Sequence, residues 1–110
     1  MAFDALEIAC ELATALRTPL ETLRKYDKSL EDQIRRAATS VALNVGEGRR
    51  RAGRDQGHLF RIAAGSAAEV ATALRIALAW GYLAEADLGP ARALLAREEA
   101  MLWRLTHGRG

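Results

Sequence analysis

Arg49, Arg50, Arg51 and Arg54 fall within six residues of one another, and Arg61 follows them. A guanidinium is a planar fork of donors that matches phosphate. A loop displaying several such forks binds a nucleic-acid backbone without reading its sequence. The same side chains would equally serve as a solvated loop that keeps the protein soluble. No aromatic residue is interleaved among them, which disfavours a reader of unpaired bases.

A second constellation lies just upstream. Gln33, Arg36, Ser40, Asn44 and Glu47 are spaced 3, 4, 4 and 3, one line along a helix. Ser66 and Glu69 sit on or beside a later apolar face, and Glu98 takes a position where an apolar residue is expected. Two chemistries compete for these eight residues: an internal acid–base site, and a buried hydrogen-bonded network that fixes helix register. The network is favoured, because no nucleophile–base pair accompanies it. The two histidines, His58 and His107, lie near the start of one helix and at the chain end, positions that suit solvation. A carboxylate-bridged metal bundle would need Glu-x-x-His on two helices. The chain offers Asp55-x-x-His58 once. No catalytic residue, metal ligand or cofactor site is therefore expected, and the protein reads as a non-enzyme.

The elements that carry these residues are helical. The chain has 110 residues, of which 50% are hydrophobic and only 5% aromatic. Alanine, leucine, arginine and glutamate favour helix, and no stretch alternates with the period of a strand. Leu6, Ala9, Ala13, Leu16, Leu20 and Leu23 form a 3-4 seam that predicts a helix from Phe3 to Lys25. Pro19 is expected to bend it, the competing reading being two helices with Thr18 capping the second. Ser29, with Glu31 and Asp32, predicts the start of helix two. Its core face is Leu30, Ile34, Ala37, Ala38, Val41 and Val45, and its end is a glycine cap near Gly46 and Gly48. Helix three is expected from Asp55 to Trp80. Its two adjacent apolar stripes include Leu59, Ile62, Val70 and Ala77 on one, and Phe60, Ala67, Leu74 and Leu78 on the other. That arc exceeds what one bundle covers, so a second subunit is expected on it. Asp87 should cap helix four, whose seam is Leu88, Ala91, Leu95, Leu102 and Leu105, and the tail from His107 onward should fray.

The expected architecture is all-α: one domain over residues 1–110, an antiparallel up-down-up-down four-helix bundle, and an oligomer. Cys10 is the sole cysteine, so no internal disulfide forms. It lies at the edge of the first core face as a small hydrophobe. The formal net charge of +2 says little beyond the clustering of arginines. No apolar segment is expected to span a bilayer, no signal peptide is recognised, and a cytoplasmic protein follows.

The runs "QIRRAATSVALNVGEG", "FRIAAGSAAEV" and "AWGYL" resemble the bacterial 23S rRNA intervening-sequence protein family. The matching positions are Gln33, Arg35, Arg36, Ala37, Ala38, Ser40, Asn44, Glu47 and Gly48, then Ile62, Ala63, Gly65, Ser66 and Glu69. Gly46 departs from the family's alanine and should loosen the end of helix two. Gln56 stands where many relatives carry an aromatic. The resemblance implies an antiparallel four-helix bundle assembled as a homopentamer. It also implies a nucleic-acid context: some members are encoded within insertions of ribosomal RNA genes. Accessory proteins of diversity-generating retroelements share the fold and work with a reverse transcriptase. It implies no catalytic residues. The partners expected are therefore other copies of the chain, RNA or DNA, or a reverse transcriptase or other protein for which this chain is a scaffold.

Overall fold

The computed structural model describes residues 4–107. Among them are four α-helices and no strand: α1 Asp4–Arg24, α2 Lys28–Gly48, α3 Gly53–Ala79 and α4 Gly89–His107, with a 3₁₀ turn at Glu85–Leu88 before α4. The expected start at Phe3 lies outside the described residues; of the tail expected to fray, His107 instead closes α4, and residues 108–110 lie outside the described residues. Each helix packs on two others: α1 on α2 and α4, and α3 on α2 and α4. The extents are 42 × 22 × 20 Å. The long axis is close to the length of α3 alone at about 1.5 Å rise per residue.

α1 runs through Pro19 without a break, so Thr18 starts no second helix. Proline removes one backbone donor, but here its ring is buried within the core face beside Leu16 and Leu20. The buried face of α1 is Ala5, Ile8, Ala9, Leu12, Leu16, Pro19, Leu20 and Leu23. It is rotated slightly from the expected seam: Ile8 and Leu12 point inward, Leu6 is half-buried, and Ala13 and Cys10 are exposed. The larger side chains take the interior, which buries more apolar area.

α2 begins slightly earlier than expected, its cap two residues ahead of Ser29. Asp27, not Ser29, is the N-cap, and its Oδ1 accepts the Leu30 N–H at 2.9 Å. Its six expected core residues are all buried. The end differs from a left-handed glycine cap. The helix continues through Gly46 to Gly48, and Arg49 closes it in right-handed geometry, its N–H reaching Val45 O at 3.0 Å. Gly46 causes no loosening. The chain turns at Gly53 instead, with φ of 62°, a conformation that glycine adopts at little cost. α3 therefore starts at Gly53, ahead of Asp55.

Asp87 caps from a different place than expected. It lies in the 3₁₀ turn, and its Oδ2 accepts the Ala84 N–H at 2.8 Å. On α4, Ala91, Leu95, Glu98 and Leu102 are buried, while Leu105 is 42% exposed and leaves the seam.

The core is built largely of leucine, valine and alanine. α3 contributes Phe60, Ala63, Ala67, Val70, Ala73, Leu74 and Ala77. The remainder of its wide apolar arc faces outward, with Ile62 at 39% and Ile76 at 41% exposure. By length and composition α3 is apolar enough to cross a bilayer, with an 18-residue window of mean hydropathy 1.4. That corrects the expectation that no segment reaches this length. Its alanine content raises the hydropathy without the bulk of a membrane span, and only 33% of that window is buried.

Candidate functional site

The connector between α2 and α3 is ordered by its own backbone. The N–H groups of Arg49, Arg50 and Arg51 reach Val45 O, Glu47 O and Gly48 O at 3.0, 3.1 and 3.0 Å. Gln56, one turn into α3, then ties it down: its Nε2 donates to Gly48 O at 3.1 Å and to Arg51 O at 2.9 Å. An aromatic residue here would supply packing. The amide instead adds a second donor to Gly48 O, which already accepts the Arg51 N–H, and bonds the connector carbonyl of Arg51. The spacing of Gln56 from the end of α2 carries no sign of this role, because it depends on how sharply the connector folds back.

Arg49, Arg50, Arg51, Arg54 and Arg61 are all exposed. They are not equivalent. Arg51 is held by Glu47, with Nη2–Oε2 at 2.7 Å and Nε–Oε2 at 3.0 Å, and its Nη1 lies 4.0 Å from Asp55 Oδ2. Arg50, Arg54 and Arg61 have no carboxylate partner among the described residues. Exposed ion pairs contribute little to stability, so the Arg51 pair chiefly orients its guanidinium along the helix end.

The expected eight-residue polar network narrows to three. Ser40 Oγ and Ser66 Oγ meet at 2.8 Å and join α2 to α3. Asn44 Nδ2 donates to Ser40 O at 2.9 Å and to Ser40 Oγ at 3.1 Å. Gln33 and Glu69 are exposed. Arg36 is exposed and pairs with Asp32 at 3.0 Å, and Glu47 is committed to Arg51. The 3-4 spacing places all of these along one edge of α2 and α3, but only the middle of that edge meets a neighbouring helix. Asn44→Ala should cost about 1 kcal/mol, since it strips one hydrogen-bond donor from a half-buried cluster. A urea midpoint equal to that of the wild type would show that water already serves Ser40.

Glu98 stands apart from this network. It is wholly buried in the seam of α4, both carboxyl oxygens lack a hydrogen-bond partner among the described residues, and burial raises its pKa to about 7. Sequence periodicity places it inside, but nothing in the spacing shows that it is alone there.

His58 and His107 are exposed. The His107 ring stacks on Trp103 at 4.4 Å between centroids. Among the described residues no group of three His, Cys, Asp or Glu side chains is placed to hold a metal ion. A groove of about 340 Å³ between α1 and α2 has Leu16, Leu20 and Ala38 in its floor and Arg17, Arg24 and Arg35 at its rim. Arg35 is committed to Glu31 at 3.0 Å and Asp32 at 2.9 Å. The connector arginines contribute nothing to that groove.

The profile of the 23S rRNA-intervening sequence protein family matches residues 2–104. The chain belongs to this family. A solved relative has the same fold: a protein of unknown function from the S23 ribosomal protein family of Bacteroides thetaiotaomicron. It superposes with a TM-score of 0.83 at 19% identity, over 94% of this chain and 98% of that one. No curated protein matches the chain. The match to the 23S rRNA-intervening sequence family spans all four helices and covers Ser40, Asn44 and Ser66. It assigns no chemistry to them.

Proposed function

We propose that this family member is a non-enzymatic homo-oligomer that associates with nucleic acid through the α2–α3 connector. The observation that carries the reading is the display of Arg50 on the ordered connector and of Arg54 and Arg61 on the start of α3 that follows it, with no carboxylate partner among the described residues. Unpaired guanidinium groups held in place bind phosphate without first breaking an ion pair or ordering a loop.

The fold behind it is an antiparallel up-down-up-down bundle. Gly46 lies beside Leu6, and the Gly48 backbone lies against Phe60. Ala71 and Leu74 share one groove with Leu95 and Ala96, while Ala64 shares another with Trp103. Such pairs recede along one helix as they advance along the next. The outward-facing Ile62 and Ile76 of α3 and the 66%-exposed Leu43 of α2 supply apolar surface for contact between copies. A closed ring, five-membered by resemblance to the family, would repeat the connector around its axis and add its sites together.

The rival reading is a scaffold for a protein such as a reverse transcriptase, with the same apolar surface as its contact. Fluorescence anisotropy with labelled RNA and DNA at two salt concentrations separates them. Phosphate binding should weaken steeply with salt, by a slope near 0.7–0.9 per contact. Replacing Arg50, Arg54 and Arg61 together by serine should flatten that slope and weaken binding by roughly tenfold or more. Undiminished binding by the triple variant would remove the connector from the mechanism. A salt-insensitive partner would favour the scaffold, and a monomer in light scattering would remove the ring.

A further inference from the structure

Away from the connector, the fold assembles three aromatic rings that lie far apart in the chain. Tyr26 comes from the turn between α1 and α2. Trp80 closes α3, and Tyr82 follows it after the left-handed Gly81. The Tyr26 and Tyr82 rings are nearly parallel, 8° apart with centroids at 5.4 Å. Trp80 and Tyr82 lie 18° apart at 6.3 Å. Tyr82 is half-buried, while Tyr26 is 62% and Trp80 69% exposed. Tyr82, the ring common to both pairs, is the most covered of the three.

Two large aromatic side chains this open beside a third form the kind of contiguous surface that marks a binding site. The charge around them says what binds there. Arg24, Lys25 and Lys28 flank Tyr26, are exposed, and have no partner among the described residues. The nearby acids are mostly engaged. Asp27 accepts the Leu30 N–H at the start of α2, Asp87 accepts the Ala84 N–H, and Glu85 pairs with Arg92 at 3.2 Å. Glu21 alone is exposed and unpaired on that stretch of α1. Flat rings with open faces beside unpaired cations are the elements that hold a single strand: bases stack and phosphates are neutralised.

We propose that the Tyr26–Tyr82–Trp80 stack is a base-stacking platform for single-stranded nucleic acid, with Arg24, Lys25 and Lys28 on its phosphates. This rests on the nucleic-acid reading of the protein and adds a preference to it. The connector arginines serve any phosphate backbone, and the rings admit only unpaired bases.

The test uses Trp103→Phe protein, in which Trp80 is the sole tryptophan emitter, titrated with oligouridine and with duplex RNA of equal length at low salt. Oligouridine should quench Trp80, and the duplex should not. Adding Tyr26→Ala and Trp80→Ala should weaken oligouridine binding about tenfold and leave duplex binding unchanged. Trp80→Phe, which keeps a ring, should restore most of the affinity. The connector variant should instead lose both ligands. Equal oligouridine binding with and without the rings overturns the platform while the connector reading stands. If neither RNA binds the parent protein, both readings fall together. A smaller assembly in light scattering on loss of the rings would assign them to contact between copies and overturn the platform.

Discussion

Raising the pH from about 5 to about 8 should remove about 3 kcal/mol of folding stability through Glu98, and Glu98→Leu should remove most of the pH dependence, leaving the smaller part that burial of Glu99 contributes with the same sign. The Glu98 carboxyl is wholly buried, and burial alone lifts its pKa from 4.5 to about 7. A carboxyl in a low-dielectric interior resists ionisation because the charge loses its water. In the unfolded chain it titrates near its ordinary value. Between the two values the folded protein therefore keeps a proton that the unfolded chain has released. Unfolding then sheds a proton, so stability falls as pH rises through this window. The contribution is fully present below the unfolded value and is gone once the pH passes the folded one. Urea unfolding of wild type and Glu98→Leu at several pH values reads it directly. The curves should lie closest at acid pH and diverge towards alkaline pH, with the leucine variant the more stable. Glu98→Gln, which cannot ionise, should share the flattened pH dependence. A constant gap across the series would show that the carboxylate is served by a partner and ionises normally.

A buried carboxyl with neither oxygen bonded among the described residues is the most expensive polar group in the core. Ser40, Asn44 and Ser66 satisfy one another. Glu98 is tolerated by staying protonated, and that tolerance ends near neutral pH.

Legibility in the sequence followed physical range. The core face of α2 could be read directly, because Leu30, Ile34, Ala37, Ala38, Val41 and Val45 repeat with the helical period and need no other information. The seam of α1 was displaced because Leu6 and Ala13 fit that period as well as Ile8 and Leu12 do, and only packing against α2 and α4 decides between them. Asp27 and Ser29 are both good caps, and the one whose oxygen reaches the Leu30 N–H prevails. The arginine cluster was visible as composition. Its division was not, since Arg51 is drawn to Glu47 and Asp55 by helical proximity while Arg50, Arg54 and Arg61 have no carboxylate partner among the described residues. Gln56 and the three stacked rings were illegible for a common reason. Each works through residues that only the tertiary fold brings alongside.

Gly48 shows the same limit and gives the second large effect: Gly48→Ala should cost about 1–3 kcal/mol, and Gly48→Val more. Glycine here reads as a flexible cap, yet its φ is not in the left-handed region, and the position is buried. The reason lies across the helix interface. A Cβ at Gly48 would stand 2.7 Å from Phe60 Cε1 and 2.9 Å from Cδ1, with Leu59 Cβ at 3.3 Å. Phe60 is 3% exposed and has little room to retreat. Its ring would have to leave its rotamer, or α2 and α3 would have to separate. Separation would also break the Gln56 bond to Gly48 O, which holds the connector against the end of α2. Gly48→Ala should therefore lower the urea midpoint and weaken nucleic-acid binding together, although it touches no arginine. Phe60→Leu, destabilising alone through lost volume, should recover part of the loss when combined with Gly48→Ala. Residues that share one contact do not add independently. Strict additivity of the two would show that Phe60 is not what forbids a side chain at position 48.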